Sequence, residues 1–174
     1  FEKISQLLLP WFGLLTTFVP DFFGNPASRN YWLPGTYIER VTYIGVLPLL
    51  FAFLTIFQRR KTKISLFFIG LALLTVLLTL NSPLARLFYG LKIPIISTAV
   101  PTRLLYVFSF SLAVLAGFGI DGFFQNQKKK IAKAGFVLVG FYLFLWLFTF
   151  FAPQIFPGHW WISHLEITRR NLIL

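Results

Sequence analysis

The sequence predicts an all-α polytopic membrane protein, on the strength of its composition and of four long apolar runs. Of its 174 residues, 57% are apolar, 20% are aromatic and only 12% are charged. Soluble domains usually carry about 25% charged and about 45–50% apolar residues. Because so few charges cannot cover a soluble surface, a bilayer is the expected solvent. The chain has no cysteine, which excludes a disulfide framework and a thiolate–metal site within it.

The four apolar runs are predicted to be transmembrane helices in a single membrane domain. Each has about 17–21 residues, and at about 1.5 Å per residue such a helix covers most of a hydrocarbon core of about 30 Å. The predicted spans are residues 41–57, 64–80, 104–124 and 134–151. No internal repeat relates them.

The basic residues give these spans an orientation. Arginine and lysine cluster in the short loops 58–63 and 125–133, which two spans separate. Short loops rich in these residues stay in the cytoplasm. The net charge of +11 is therefore interpreted as a topology signal, and no nucleic-acid partner is expected. The longer loops, at 20–40, 81–103 and 152–170, are predicted to face the outside.

Two further apolar segments are too short or too broken to cross. The N-terminal segment, residues 4–20, is interrupted by Pro10, which removes a backbone donor and clashes with the preceding turn. Residues 83–101 begin like a helix and end in a proline-bounded stretch. Because irregular backbone at membrane depth needs protein around it, both are predicted to be re-entrant or interfacial elements on the outer side.

The loop FVPDFFGNPASRNYW, residues 18–32, joins the first of these elements to the first span. Its two prolines and its glycine favour a rigid lid that satisfies its own hydrogen bonds. Its polar and aromatic residues alternatively suit a phosphate or a sugar. The residues of this second interpretation are Arg29, Asn30, Tyr31 and Trp32. Trp160 and Trp161 likewise fit either an interfacial aromatic belt or a platform on which a sugar stacks.

Four motifs occur in one order along about residues 10–125. They are the loop from Pro20 to Pro26, the Tyr43–Gly45 start of a span, the loop from Pro94 to Arg103, and LAGFGID at Leu115–Asp121. In this order the motifs resemble the YfhO-type bacterial membrane proteins. These belong to the GT-C superfamily of integral membrane glycosyltransferases, so the chain is expected to have a GT-C-like fold.

The resemblance implies an activity and a location. It implies a multi-pass protein of the bacterial cytoplasmic membrane that transfers a sugar from a polyprenyl-phosphate donor at the extracytoplasmic face. GT-C enzymes place their catalytic acid in the first outer loop, and this chain, which begins at Phe1 without methionine, is expected to be a fragment that starts after it. The catalytic residue is therefore unknown here, with Glu39 as the one candidate. No cofactor is evident, although the full-length protein could use a divalent metal.

Arg103 is the residue singled out for the lipid phosphate. An arginine at membrane depth is costly, and its guanidinium matches phosphate oxygens in bidentate geometry. Snorkelling to the interface explains its position equally well. Arg86 and Lys92 lie in the same predicted loop and could share the phosphate. His159 and His164 have no companion ligands at zinc spacing, so no metal site is predicted.

Two other functions stay open at this stage. Broken helices near the membrane midplane are typical of transporters, so the protein could be a flippase for a lipid or a polysaccharide precursor. It could also be a non-catalytic scaffold, because a fold does not imply a function.

Overall fold

The computed structural model describes residues 6–57, 62–91, 93, 99–124, 128–159 and 161–173, with the side chains of 122–131 and 173 left aside. The helices are α1 (Tyr37–Arg40), α2 (Val46–Ile56), α3 (Lys63–Thr79), α4 (Pro83–Gly90), α5 (Leu105–Phe124), α6 (Lys128–Ile155) and α7 (Leu165–Ile173). Short 3-10 helices cover Trp11–Thr17, Pro26–Ser28, Pro101–Leu104 and Ile162–His164. The described residues contain no β-strand, so the predicted all-α class is confirmed for them.

Two of the four predicted spans coincide with helices that are long and apolar enough to cross a bilayer. They lie in the stretches Pro101–Asp121 and Ala132–Ile155. The other two predicted spans contain α3, with 17 residues, and α2, with 11. At about 1.5 Å per residue, α2 is only about 16 Å long. It begins late because Gly45, at φ 98°, has a conformation that a helix cannot include.

Helix α5 is the centre of the bundle and packs between α2 and α3. At its contact with α2, a Cβ atom on Gly119 would lie 2.0 Å from the carbonyl oxygen of Phe51, so only glycine fits. One turn away, the Thr55 hydroxyl donates to the carbonyl oxygen of Leu115 at 2.8 Å. Small residues let helix backbones approach in this way, and a hydroxyl bond between helices then supports the contact.

The two ends of the bundle differ. We call the end where α2 and α5 begin and α3 and α6 finish the lid end, because the loop at residues 20–36 lies there. We call the opposite end, where Lys63 and Lys128 begin α3 and α6, the basic end. The Trp11–Thr17 helix starts at the lid end, where Leu9 forms an isolated parallel bridge with Leu80.

The Trp11–Thr17 helix extends from the lid end into the bundle, and the chain then returns to the lid end to form the loop at residues 20–36. The ring of Phe18 lies 4.7 Å from the ring of Phe141 and stacks at 6.1 Å on Phe53, which is seven residues into α2. The Tyr142 hydroxyl donates to the Phe18 carbonyl oxygen at 2.6 Å. Phe18 therefore lies about 10 Å below the start of α2.

Apolar side chains form the core of the bundle and also cover much of its surface. Large apolar side chains are exposed along α3 and α6: Phe136 is 80% exposed, and only 17% of the apolar window in α6 is buried. Many hydroxyl side chains are buried together with the apolar core. They are Thr16, Thr17, Thr42, Thr55, Ser65, Thr75, Thr79, Thr102, Ser111, Thr149 and Thr168.

Candidate functional site

The lid loop, residues 20–36, is held by its own hydrogen bonds. The backbone N–H of Asn25 donates to Oδ1 of Asn30 at 2.8 Å, and that of Trp32 donates to the Phe23 carbonyl at 2.9 Å. Gly24 has φ 83°, and a Cβ there would lie 2.2 Å from the Asn30 carbonyl oxygen. The loop therefore has the self-bonded form that one interpretation of its sequence predicts, and Asn30 is a structural member of it.

Two phenols and a carboxylate meet where the lid loop returns to α1. The Tyr37 hydroxyl donates to Oδ1 of Asp21 at 2.7 Å, and the Tyr37 ring contacts Tyr31 edge to face at 5.3 Å. Burial, followed by the hydrogen bond to Asp21, raises the pKa of Tyr37 to about 12. Burial raises the pKa of Tyr31 to about 12 as well, although the charge of Arg40 opposes it. Both hydroxyls are therefore protonated at neutral pH.

Arg40 is a buried cation beside these phenols. The residue is 4% exposed, and its Nη2 donates to the Gln6 carbonyl oxygen at 3.0 Å. Its guanidinium lies on the backbone of Gly35, where a Cβ would come within 2.2 Å of Nε. Burial lowers the pKa of Arg40, against the charges of Tyr31 and Glu39, but an arginine side chain stays protonated. Within the described residues no carboxylate forms a salt bridge with it.

Glu39 pairs with Arg103. Oε1 of Glu39 lies 3.3 Å from Nε of Arg103, although the residues are 64 apart in sequence. This places α1 against the Pro101–Leu104 helix, which leads directly into α5. The Arg103 side chain is 65% exposed, so its other guanidinium nitrogens remain accessible to an anion. Such an exposed pair contributes about 0–1 kcal/mol.

The other predicted anion-binding residues lie apart from this pair. Nε of Arg86, on α4, donates to Oδ1 of Asn81 at 2.9 Å in an exposed position. Arg29 is exposed at a left-handed turn, with φ 53°. Lys92 and Trp160 lie outside the described residues. The structure thus brings Glu39 and Arg103 together and gives Arg86 a separate partner.

An apolar cavity of about 550 Å³ lies between the lid loop, the Trp11–Thr17 helix and α6. We call it the aromatic groove. It is lined by Trp11, Phe12, Leu15, Phe22, Phe23, Trp32, Phe141, Phe144, Leu145, Phe148, Trp161 and Leu165. Trp32 and Trp161 therefore share one site, and their rings stack on His164 and Phe148 at 5.2 and 6.2 Å. The lining is almost wholly apolar and suits a hydrocarbon chain.

The groove and the polar cluster are built from the same two segments. Tyr31 belongs to the cluster and the next residue, Trp32, lines the groove. Leu15 lines the groove, whereas the Thr16 hydroxyl donates to the Arg40 carbonyl oxygen at 3.1 Å. In the short helix and in the lid loop, one residue thus lines the aromatic groove while its neighbour in sequence contacts the polar cluster.

Sequence reasoning missed Arg40 and Tyr37 as members of the site. Burial of Arg40 depends on Gln6 and Gly35, which no local pattern connects to it. In the part of the chain that the structure describes, no three histidine, cysteine or carboxylate residues are grouped to hold a metal ion. A cofactor is not established.

Comparison with protein-family models, curated proteins and solved structures gives no match. The resemblance to the YfhO-type proteins therefore stays a prediction, as does the GT-C-like arrangement.

Proposed function

We propose that this chain is the membrane domain of a multi-pass protein in which α2, α3, α5 and α6 all lie in the bilayer. The large apolar side chains exposed along the helices support this, because such a surface is stable in lipid, and the buried hydroxyl side chains can form hydrogen bonds between helices there. With 17 residues, α3 is about 26 Å long, close to the thickness of a hydrocarbon core. Residues before Gly45 extend the shorter α2 towards the lid end.

In this proposal the lid end faces the outside of a bacterial cytoplasmic membrane. The helix starts at Lys63 and Lys128 belong to the basic loops 58–63 and 125–133, which the positive-inside rule assigns to the cytoplasm. The lid loop, Glu39 and Arg103 are then extracytoplasmic, and the aromatic groove extends from them into the outer half of the bilayer.

The proposed function is sugar transfer from a polyprenyl-phosphate donor, as the YfhO-type resemblance implies. The observation that carries it is the presence of accessible Arg103 and an aromatic groove at one end of the bundle. A polyprenyl phosphate combines an anionic head with a long apolar tail. Arg103 would bind the phosphate, whereas Arg86 and Lys92 remain further candidates for it.

The reacting groups divide between this chain and the rest of the protein. Glu39 is held by Arg103, so we propose that it positions the guanidinium and that the catalytic carboxylate lies elsewhere in the protein. Arg29 is exposed at the tip of the lid loop, and we assign it to binding of the acceptor. Trp32 and Trp161 remain sugar-stacking candidates only at the rim of the groove, since its interior suits hydrocarbon.

The test uses a radiolabelled polyprenyl-phosphate sugar: binding to the intact protein is measured in lipid nanodiscs, and turnover and transbilayer movement are measured in sealed liposomes. A hydrogen bond to a charged group contributes about 1.5–3 kcal/mol, so Arg103→Ala should weaken binding about tenfold or more. Arg170→Ala, at an exposed arginine of α7, removes the same charge and should leave binding unchanged.

Three results separate the functions. Binding that depends on Arg103, with sugar released from the lipid, supports a transferase. Binding with intact donor that crosses the bilayer supports a flippase and contradicts sugar transfer. Equal binding by both arginine variants and the parent protein contradicts the assignment of Arg103.

A further inference from the structure

Helix α7 forms side-chain hydrogen bonds to two different walls of the aromatic groove. The Thr168 hydroxyl donates to the Phe22 carbonyl oxygen at 2.7 Å, and Nδ2 of Asn171 donates to the Asp21 carbonyl oxygen at 2.7 Å. These bonds hold the lid loop from 146 and 150 residues away in sequence. Between them along the helix, Arg169 is directed to α6.

The contact with α6 occurs where a proline interrupts the helix. Pro153 lies inside α6 and has no N–H, so it cannot donate the usual bond to the carbonyl of residue 149, four positions earlier. Nη2 of Arg169 donates to that Thr149 carbonyl at 3.1 Å, and its Cζ lies 4.0 Å from the centre of the Phe150 ring. Arg169 thus replaces a donor that the sequence of α6 removes.

The same bonds close one side of the aromatic groove. Phe22 lines it from the lid loop, Phe148 lines it from α6, and Leu165, the first residue of α7, lies between these walls. Helix α7 therefore bonds both walls of the groove, and its Leu172 also packs against the apolar cluster that Phe22 and Leu145 share.

We propose that α7 is a latch that fastens the lid loop to α6, and that its release opens the aromatic groove to the hydrocarbon chain of a lipid. The lipid as occupant rests on the proposed function, whereas the latch rests on the three hydrogen bonds. Nε of Arg169 is buried and makes no hydrogen bond within the described residues. A buried donor without a partner costs free energy, so this one atom disfavours the closed arrangement while the three hydrogen bonds favour it.

The absence of cysteine from this chain makes a distance measurement direct. Spin labels are attached at Ser28→Cys, on the exposed lid loop, and at Leu147→Cys, 47% exposed on α6. Pulsed electron paramagnetic resonance in nanodiscs then measures the distance between the lid loop and α6. Labels at Leu47→Cys and Tyr106→Cys, 67% and 63% exposed on α2 and α5, report the bundle itself. No substrate is needed, so the result is independent of sugar transfer.

The latch variant is Thr168→Val with Arg169→Leu and Asn171→Leu, and the matched control is Arg170→Leu. We expect the latch variant to add a population at longer lid–α6 distance while the α2–α5 distance is unchanged. Thr168→Val alone should add a smaller share of the same population. A latch variant with the same lid–α6 distribution as the control overturns the proposal. A change in both label pairs also overturns it, because α7 would then be a general structural part of the bundle.

Discussion

The α2–α5 contact and the lid end hold the chain together in different ways. Between α2 and α5 the backbones touch at Gly119, and Leu115 and Ala116 fill the surrounding space with side chains of fixed size. At the lid end, side-chain hydrogen bonds to distant carbonyls join the lid loop, α1 and α7, beside an apolar cluster that includes Phe22 and Leu145. A backbone contact leaves no room for a larger residue, whereas a side-chain hydrogen bond can be removed without a steric clash. We therefore expect substitutions in the α2–α5 contact to cost more than substitutions at the lid end.

The largest effect is expected from a substitution at Gly119, where α2 and α5 are closest. In Gly119→Val the new Cβ would lie 2.0 Å from the Phe51 carbonyl oxygen, so the α2 and α5 backbones must separate. Overpacking of this kind costs about 1–3 kcal/mol, and more where the obstacle is backbone. We expect a large fall in Tm in detergent micelles, or no folded protein.

Gly117→Ala is the matched control for this effect. No atom lies within 4 Å of a Cβ at Gly117, two residues before Gly119 on the same helix. Replacing glycine by alanine inside a helix stabilises it by about 0.5–1 kcal/mol. We therefore expect an unchanged or slightly raised Tm. Equal Tm values for the two variants would contradict the close approach of α2 and α5.

A moderate effect is expected where the lid end meets α6. Arg169→Leu leaves the buried Thr149 carbonyl without the donor that replaces the N–H missing at Pro153. An unsatisfied buried group costs about 1–3 kcal/mol. In a Pro153→Ala background the backbone N–H of residue 153 returns, so the same arginine change should cost less.

Thermal unfolding of the two single variants, the double variant and the parent protein measures this coupling. We expect the loss of Tm caused by Arg169→Leu to be smaller with alanine at position 153. Equal losses of Tm in both backgrounds would show that Arg169 stabilises the protein through its contact with Phe150 and its charge. Arg169 would then not compensate for the N–H that Pro153 lacks.

The helices could be predicted from the sequence because their causes are local. Runs of Leu, Phe and Ile specify α3, α5 and α6 through composition and length alone. The start of α2 could not be predicted from the sequence. It is set by the positive φ of Gly45, and this conformation depends on how the preceding segment of the chain is held. That segment is held through Thr42, whose hydroxyl lies 2.7 Å from that of Thr17, 25 residues away.

The candidate site was less predictable because its members meet over long separations. Glu39 and Arg103 were each singled out by residue type and position, but their pairing across 64 residues was not predicted. The contacts of Thr168 and Asn171 join the lid loop to residues near the other end of the chain. Neither residue belongs to a motif, and both donate to main-chain carbonyls, which every residue possesses. Only the packing of the helices reveals such partners.

The smallest predicted effect is a pH dependence of the stability, which arises from Tyr31 and Tyr37 in the polar cluster. A tyrosine in an unfolded chain has a pKa of about 10, whereas Tyr37 and Tyr31 each have a pKa raised to about 12 by burial. Because the folded state holds these protons more tightly, their contribution to stability is complete below pH 10 and is lost as the pH rises through 12. Phenylalanine at either position should weaken this decline.

The two phenols should differ at neutral pH, which separates burial from hydrogen bonding. Tyr37→Phe removes the bond to Asp21 and should cost about 0.5–1.5 kcal/mol, a gap that narrows as the pH rises from 10 to 12. The Tyr31 hydroxyl is buried and makes no hydrogen bond within the described residues, so Tyr31→Phe should cost nothing at pH 7 and gain relative to the parent above pH 10. Urea unfolding in micelles across this pH range measures both trends. Two results would contradict this description: a difference in unfolding free energy between Tyr37→Phe and the parent protein that does not change with pH, or an equal loss for Tyr31→Phe at pH 7. Either result would mean that the cluster is solvated and that the lid loop does not exclude water from it.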